Sequence, residues 1–418
     1  MVETLSPAVG SVPDFLPPPG PRTAPRSLAG KRVLIATESL GPVNGVTRAT
    51  ASLQAYLHEQ GVTTVTVAPE TGTDADHTFE RTVRLPGMPL PYNPELRLVH
   101  PFNLRGLFRC IGRPDVIYLA SPATLGLQLW LQVRHLGIPV VANFQTDLAT
   151  YARLMLPRPL RRFVGWALDC ITGRGYRDGA IRVAFCPSTQ SRDYLLGLGV
   201  PAGKIRMLGR GVDCVLFDRR KRSAAVRARL APNGEVLLLC VSRLSLEKGY
   251  DLLAAAYRDL VTRARHAGVH VPFRLVVTGG NANPEIERGI RDLFAGLDVH
   301  FTGVLTGEDL AAMYASADLF VFPSRSETFG QVVQEAMASG LPVVAQRAGG
   351  PADLVVPEQT GLLVPPGDVT AFADATLRLL ADDVLRARMG RTARAVAEHR
   401  GWDAVNARIT TALAEVAN

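Results

Sequence analysis

The stretch DLFVFPSRSETFGQVVQEAMASGLPVVA, residues 318–345, decides the fold. LFVF and PVVA are short, unbroken apolar runs of strand length, suited to burial on both faces of a parallel sheet. Between them, Gly330 permits a sharp entry into a helix through QVVQEAMAS, and Gly340 with Pro342 stops it. Strand, helix and strand in one sense make the repeating unit of an α/β fold.

The alternation continues outward in both directions. KRVLIATES, VTTVTVA, DVIYLA, IPVVANF and IRVAFCPS are candidate strands of a first half. EVLLLCVSRL, FRLVVTGG and VHFTG join DLFVFPS and LPVVAQRAGG in a second, with helix-length segments between. Two doubly wound, Rossmann-like domains follow, 31–207 and 208–400, joined by a basic, irregular stretch near 208–233. A proline-rich tail, 1–30, is expected to be disordered. Residues 401–418 read as a helix able to reach back to the first domain. Ligands of such sheets bind beyond the carboxyl ends of the strands, so two domains facing a central cleft would hold the site there.

Composition narrows the class. The chain has 418 residues, 47% of them hydrophobic, ample for sizeable cores. No apolar run reaches the roughly 18 residues of a membrane span. The first thirty residues lack the basic start and apolar block of a secretory signal, so a cytoplasmic protein is expected. Five scattered cysteines without a CxxC read as reduced core thiols, with neither disulfides nor a zinc site. A net charge of +8 favours anionic partners, or simply solubilises the surface. The arginine-rich stretches lack the interleaved aromatics of single-strand binders, so no nucleic-acid partner is expected. No GxGxxG follows a strand, which argues against a dehydrogenase.

The residues able to do chemistry fall at strand ends. Glu327 follows the LFVF strand, and Glu335 lies eight positions on. If the interval is helical it rises about 12 Å, with the carboxylates on neighbouring faces, above and below the helix start. The amides from Phe329 to Val332 would then carry the positive end of the helix, an anion site suited to a phosphate. A sugar–diphosphate–nucleoside has that layout, since carboxylates accept hydrogen bonds from paired hydroxyls. A helix-start glutamate and an ordinary surface glutamate fit the same spacing. Arg243 and Lys248 in VSRLSLEKG can reach one diphosphate, or cap their loop as surface cations. Asn44 and Gly45 in ESLGPVNGVTR, and Gln145 and Asp147 in NFQTDLATY, also follow strands. Turn chemistry explains Asn44, and helix capping Asp147, about as well.

In combination, ETFGQVVQE, EAMASGLPVVA, the pair Gly349–Gly350 and TGLLVPPGD make the chain resemble glycosyltransferase family 4, from Arg32 onward. The resemblance implies an α/β, GT-B enzyme that transfers a hexosyl group from a nucleotide diphosphate sugar with retention. It implies that Arg243 and Lys248 hold the diphosphate and Glu335 the ribose. It gives the donor sugar to Glu327 and the amides of Phe329 and Gly330, the base to the Val304 backbone, and further donor contacts to Asn44 and Gly45. Many relatives carry His where Gln145 stands; an amide orients a hydroxyl but does not act as a base. Asp147 would position the acceptor. The ESLGPVNGVTR and FQTD segments look most similar to GDP-mannose-dependent α-mannosyltransferases and sulfolipid-synthesising relatives, implying GDP-mannose or a UDP-sugar as donor and a glycolipid as acceptor.

Asp74 and Asp76 form a DxD, which binds a metal in transferases of another fold; here it lies in a polar loop, and no metal or other cofactor is expected. LPRPLRRFVGWALDCI mixes arginine with large apolar residues and reads either as a helix lying on an anionic membrane or as one with a core face and solvated arginines. A sugar-nucleotide epimerase, a phosphorylase-like enzyme, and a basic membrane- or RNA-binding protein with a vestigial site remain alternatives.

Overall fold

The structure, a computed structural model, describes residues 27–38, 45–70, 82–90, 93–100, 104–120, 124–145, 149, 153, 157–281, 283–325, 327 and 329–418. The chain divides into two compact units. One comprises 18–211 with 402–418, and the other 212–401.

The first unit holds a seven-stranded sheet. Its strands are β1 (Arg32–Ala36), β2 (Thr63–Pro69), β3 (Thr82–Leu85), β6 (Val116–Leu119), β7 (Val140–Asn143), β8 (Ile181–Cys186) and β9 (Ile205–Met207). They lie in the order β3-β2-β1-β6-β7-β8-β9, every pair parallel. Successive residues of β1 go to opposite faces. Leu34 and Ala36 join one core, and Val33 and Ile35 the other. The terminal helix Trp402–Ala417 covers the second face with Val405, Ile409 and Leu413. Leu28 is buried there too, so the fold starts before Lys31. A small antiparallel hairpin, β4 (Gly87–Leu90) with β5 (Asn93–Val99), is an addition the apolar runs did not announce.

The second unit holds β10 (Val236–Val241), β11 (Phe273–Thr278), β12 (Val299–Gly303), β13 (Leu319–Phe322), β14 (Val343–Gln346) and β15 (Gly361–Val364). They pair in parallel in the order β12-β11-β10-β13-β14-β15. Leu237 and Leu239 of β10 enter one core and Leu238 and Cys240 the other. From Val212 on, the stretch read as an irregular connection is folded into this unit. Phe217 and Leu230 lie in its core, and Arg227 in the helix Ala224–Leu230 pairs with Asp318 at 2.7 Å.

Each strand order reverses once, between β1 and β6 in one sheet and between β10 and β13 in the other. Loops leaving the two strands beside a reversal part to opposite faces and leave a crevice at the carboxyl edge. Arg243, Lys248 and Glu327 leave the second reversal, and Glu38 leaves the first.

Candidate active site

The second unit brings two of the expected residues into contact. Lys248, after β10, and Glu327, after β13, stand 79 positions apart in sequence and meet with Nζ 2.8 Å from Oε2. Both are largely buried, so the pair is sheltered from solvent screening. The contact depends on Gly249. Its φ of +76° is left-handed, and a Cβ there would stand 2.2 Å from the Pro323 carbonyl oxygen, at the end of β13. Only a residue without a side chain lets the Lys248 turn approach the Glu327 strand so closely.

Arg243 extends into solvent, with its side chain 64% exposed, and its nearest carboxylate is Glu247 at 3.7 Å. Its backbone is fixed from two sides. Leu244 N–H donates to the Gly280 carbonyl at 3.1 Å, and the Asn281 amide donates to the Leu244 carbonyl at 2.5 Å. The Tyr250 hydroxyl, 2.8 Å from Ser242 Oγ, ties the residue before it to the helix Tyr250–His266. Burial raises the Tyr250 phenol well above its usual range, so it stays neutral. Burial likewise pushes the Cys240 thiol in β10 up to about 12, which makes it core and not a nucleophile.

The helix after β13 spans Gln331–Ala338, and Gly330 caps it at φ +91° with no side-chain hydrogen bond. Glu327 lies outside it. The expected continuous helical rise from Glu327 to Glu335 is therefore wrong, because the left-handed turn at Gly330 intervenes. Glu335 is 5% exposed and accepts a hydrogen bond from the Tyr314 hydroxyl at 3.2 Å. Burial, reinforced by the Glu335 charge, raises the Tyr314 phenol and keeps it a donor. The Phe329 side chain is buried in the core beneath the loop. The glycine pair has a mechanical part. Gly350 N–H donates to the Glu327 carbonyl at 2.8 Å, and a Cβ on Gly350 would fall 2.0 Å from the Phe329 carbonyl oxygen. Val304 follows β12 with its side chain exposed.

In the first unit, Gly45 opens the helix Gly45–Glu59. Asn44 and Asp147, like Asp74 and Asp76, lie outside the described residues. Gln145, two residues past β7, is buried, and its Oε1 accepts from Arg210 Nη2 at 3.0 Å. A small cavity beside it is lined by Tyr118, Asn143, Arg210, Trp402 and Asn406. The Asn143 amide donates to the Tyr118 hydroxyl at 3.0 Å. At the reversal of this sheet, Glu38 is fully buried and accepts from the amides of Leu125 and Gly126, at 2.5 and 3.2 Å. It thus caps the helix Thr124–Val133.

Sequence reasoning missed Tyr314, Asn281, Arg210 and Glu38. Glu38 had a usable signal, since a glutamate directly after a buried strand sits at the ligand edge. The others announce nothing locally.

Residues 43–216 match the family described as Glycosyltransferase Family 4, and residues 221–396 match Glycosyl transferases group 1. The chain is 35% identical to the GDP-mannose-dependent alpha-mannosyltransferase of Mycobacterium tuberculosis (strain CDC 1551 / Oshkosh), over 90% of this chain and 95% of that one. It is 32% identical to the sulfoquinovosyl transferase SQD2 of Arabidopsis thaliana, over 85% of this chain and 67% of that one. Among solved structures, Anabaena Alr3699/HepE in complex with UDP-glucose superposes with a TM-score of 0.69 at 19% identity, covering 92% of this chain and 100% of that one. These relatives lend no support to an epimerase, a phosphorylase or a non-enzymatic protein.

Proposed function

Because this chain belongs to glycosyltransferase family 4 and has the two parallel-sheet domains of the GT-B fold, we propose that it moves a hexosyl group from a nucleotide diphosphate sugar to a hydroxyl acceptor, with retention and without a metal. The observation that carries this reading is the sheltered Lys248–Glu327 pair at the reversal of the second sheet, with Arg243 exposed on the same loop after β10. A diphosphate placed there receives two cations, Arg243 as a fork and Lys248 as a point charge. Glu327 accepts from hydroxyls of the donor sugar, and Glu335, steadied by Tyr314, accepts from the ribose. The amides of Phe329 and Gly330 serve donor oxygens, and the Val304 backbone serves the base. In the first unit, Gly45 with Asn44 contributes to donor binding, the Gln145 amide orients a hydroxyl, and Asp147 positions the acceptor.

Negative charge gathers on the leaving phosphate as the bond from the anomeric carbon to its oxygen breaks. The two cations stabilise that charge more in the transition state than in the ground state. The acceptor oxygen bonds to the anomeric carbon on the face that the phosphate leaves, and the acceptor proton passes to a phosphate oxygen. No ionisable base is required, in keeping with an amide at Gln145. The names of the mannosyltransferase relatives favour GDP-mannose as donor, and the acceptor that the motif resemblance implies is a glycolipid, met at the cytoplasmic membrane face.

The test is a melting-temperature screen with GDP, GDP-mannose, UDP and UDP-glucose, followed by transfer assays with the product anomer read by NMR. A shift with GDP and GDP-mannose, and an α-linked product formed in excess chelator, are expected. No shift with any nucleotide sinks the donor reading. An inverted product sinks retention, and loss of activity restored only by Mn²⁺ sinks metal independence.

A further inference from the structure

The helix Arg158–Arg177 has a face whose composition does not suit water. Its inner side is packed against the first unit. Tyr176 is buried edge-on to Phe144 at 5.9 Å, and a Cβ on Gly173 would stand 3.1 Å from the Leu198 carbonyl oxygen. On the outer side, Leu160, Phe163, Trp166 and Ile171 are all exposed. Phe163 is 65% and Trp166 61% accessible, and no other Phe or Trp among the described residues is so exposed. At about 100° per residue the four fall within an arc of roughly 140° on one side of the helix. Their aromatic rings stand 6.1 Å apart and form a ridge. Single exposed apolar side chains are ordinary, but four on one face mark a surface meant to be covered.

The charges around the ridge say what covers it. The helix carries five arginines and a single acid, Asp169. That acid is consumed from within, by an ion pair with Arg153 and by the Tyr194 hydroxyl at 2.7 Å. Arg174 lies exposed within the arc beside Phe163, Arg162 is exposed about 40° from Trp166, and Arg161, also exposed, stands about 80° beyond the arc's other edge. An apolar ridge bordered by guanidinium groups, with no free carboxylate on the helix, matches a surface that is apolar within and anionic at its rim. Acyl chains under phosphate headgroups have that layering. Among the described residues no helix is long and apolar enough to cross a membrane, so this face would give attachment in the plane of the interface.

We propose that the outer face of the helix Arg158–Arg177 is a docking surface for anionic lipid bilayers, with Phe163 and Trp166 entering the headgroup–acyl boundary and Arg161, Arg162 and Arg174 held by lipid phosphates. This deepens the membrane-borne acceptor proposed above, on which its purpose rests, but binding is measurable without catalysis. An aromatic pair supplies apolar area at little cost in conformational freedom, and arginine binds phosphate bidentately.

The experiment is co-sedimentation of the full chain with phosphatidylglycerol–phosphatidylcholine vesicles and with pure phosphatidylcholine vesicles, at low and physiological salt. Tryptophan quenching by bromine-labelled lipid is read in parallel. Wild type should bind the anionic vesicles and lose affinity with salt. Phe163→Ser/Trp166→Ser and Arg161→Glu/Arg162→Glu should each weaken binding by at least about tenfold. Trp166→Phe should abolish the quenching while keeping the binding. Each variant's own cooperative melting transition reports whether it is folded, and its nucleotide-induced shift is read separately. Equal binding of wild type and both double variants overturns the proposal, as does equal binding to neutral and anionic vesicles. A dimer that dissociates on Phe163→Ser/Trp166→Ser also overturns it, because a second copy would then cover the face. Vesicle binding without any nucleotide shift would leave this inference standing and remove the donor reading; the reverse result would do the opposite.

Discussion

Lys248 and Glu327 neutralise each other while no donor is bound, and that sets what their substitution does. Removing either leaves the other's charge in a largely buried position, at a cost of about 1–3 kcal/mol. Glu327→Gln should therefore lower stability modestly and kcat by about 10²-fold, since a catalytic electrostatic contact is lost with it. Steady-state kinetics with the preferred donor checks this, and an unchanged kcat removes Glu327 from the machinery. Tyr314→Phe is a subtler probe. It deletes a hydroxyl shared between Glu335, at 3.2 Å, and the Val332 carbonyl, at 3.3 Å, so donor KM should rise several-fold with kcat little altered. Gln145 and Arg210 act as one unit if the guanidinium sets the amide's orientation. Gln145→Ala and Arg210→Met should each reduce kcat, and the double variant should fall no further than the worse single one. Multiplying effects would show the two to be independent.

The elements explain which parts of the site were legible. Each apolar run read as a strand became a parallel strand, because burial on both faces demands such runs. The strands that went unread are short or mixed in character. Thr82–Leu85 alternates Thr and Arg with apolar residues, and Ile205–Met207 is three residues long. The position of Glu327 at a strand end was visible, but its partner was not. Lys248 reaches it only because β10 lies next to β13, a neighbour relation made by the whole sheet. Gly330 shows the opposite failure. The helix entry at Gly330 was legible, but the eight-residue helical rise counted from Glu327 runs through that left-handed residue and is not formed. The glycine pair was read as a family feature, and its part is now physical. Gly350→Ala must push the Phe329 carbonyl aside, moving the loop that carries Glu327. A loss of about 2–4 kcal/mol is expected, with donor affinity falling beyond what unfolding explains. Chemical denaturation and nucleotide titration of the folded variant measure the two effects separately. Normal stability would contradict the close approach.

At the scale of the molecule, the two units have separate cores and separate sheets, so the chain need not melt in one step. Arg394 identifies the second unit's transition. It donates to the carbonyls of Phe217 and Ala338 at 2.8 and 2.6 Å and to that of Cys214 at 3.1 Å, and it pairs with Asp218 at 3.1 Å. It thus fastens the 214–218 segment to the end of the helix carrying Glu335. Hydrogen bonding and charge from Arg220, with Arg394 adding to them, hold the Asp218 carboxyl down at about 2. Its folded pKa is depressed, so its contribution is complete above the unfolded value near 4 and fades as pH falls through about 2. Arg394→Met takes that donor from three carbonyls and removes one of the two guanidinium partners of Asp218, and should lower one calorimetric component while leaving the other in place. The proposed donor contacts built around Lys248, Glu327 and Glu335 belong to that same unit. Nucleotide at about a hundred times its Kd adds about 2.7 kcal/mol of stability, and for a unit of this size that is roughly 5–10 °C. Calorimetry of wild type and Arg394→Met, each with and without GDP, should therefore show ligand raising the very component that the substitution lowers. A ligand shift confined to the other component would place the nucleotide in the first unit and refute the assignment of Lys248, Glu327 and Glu335 together.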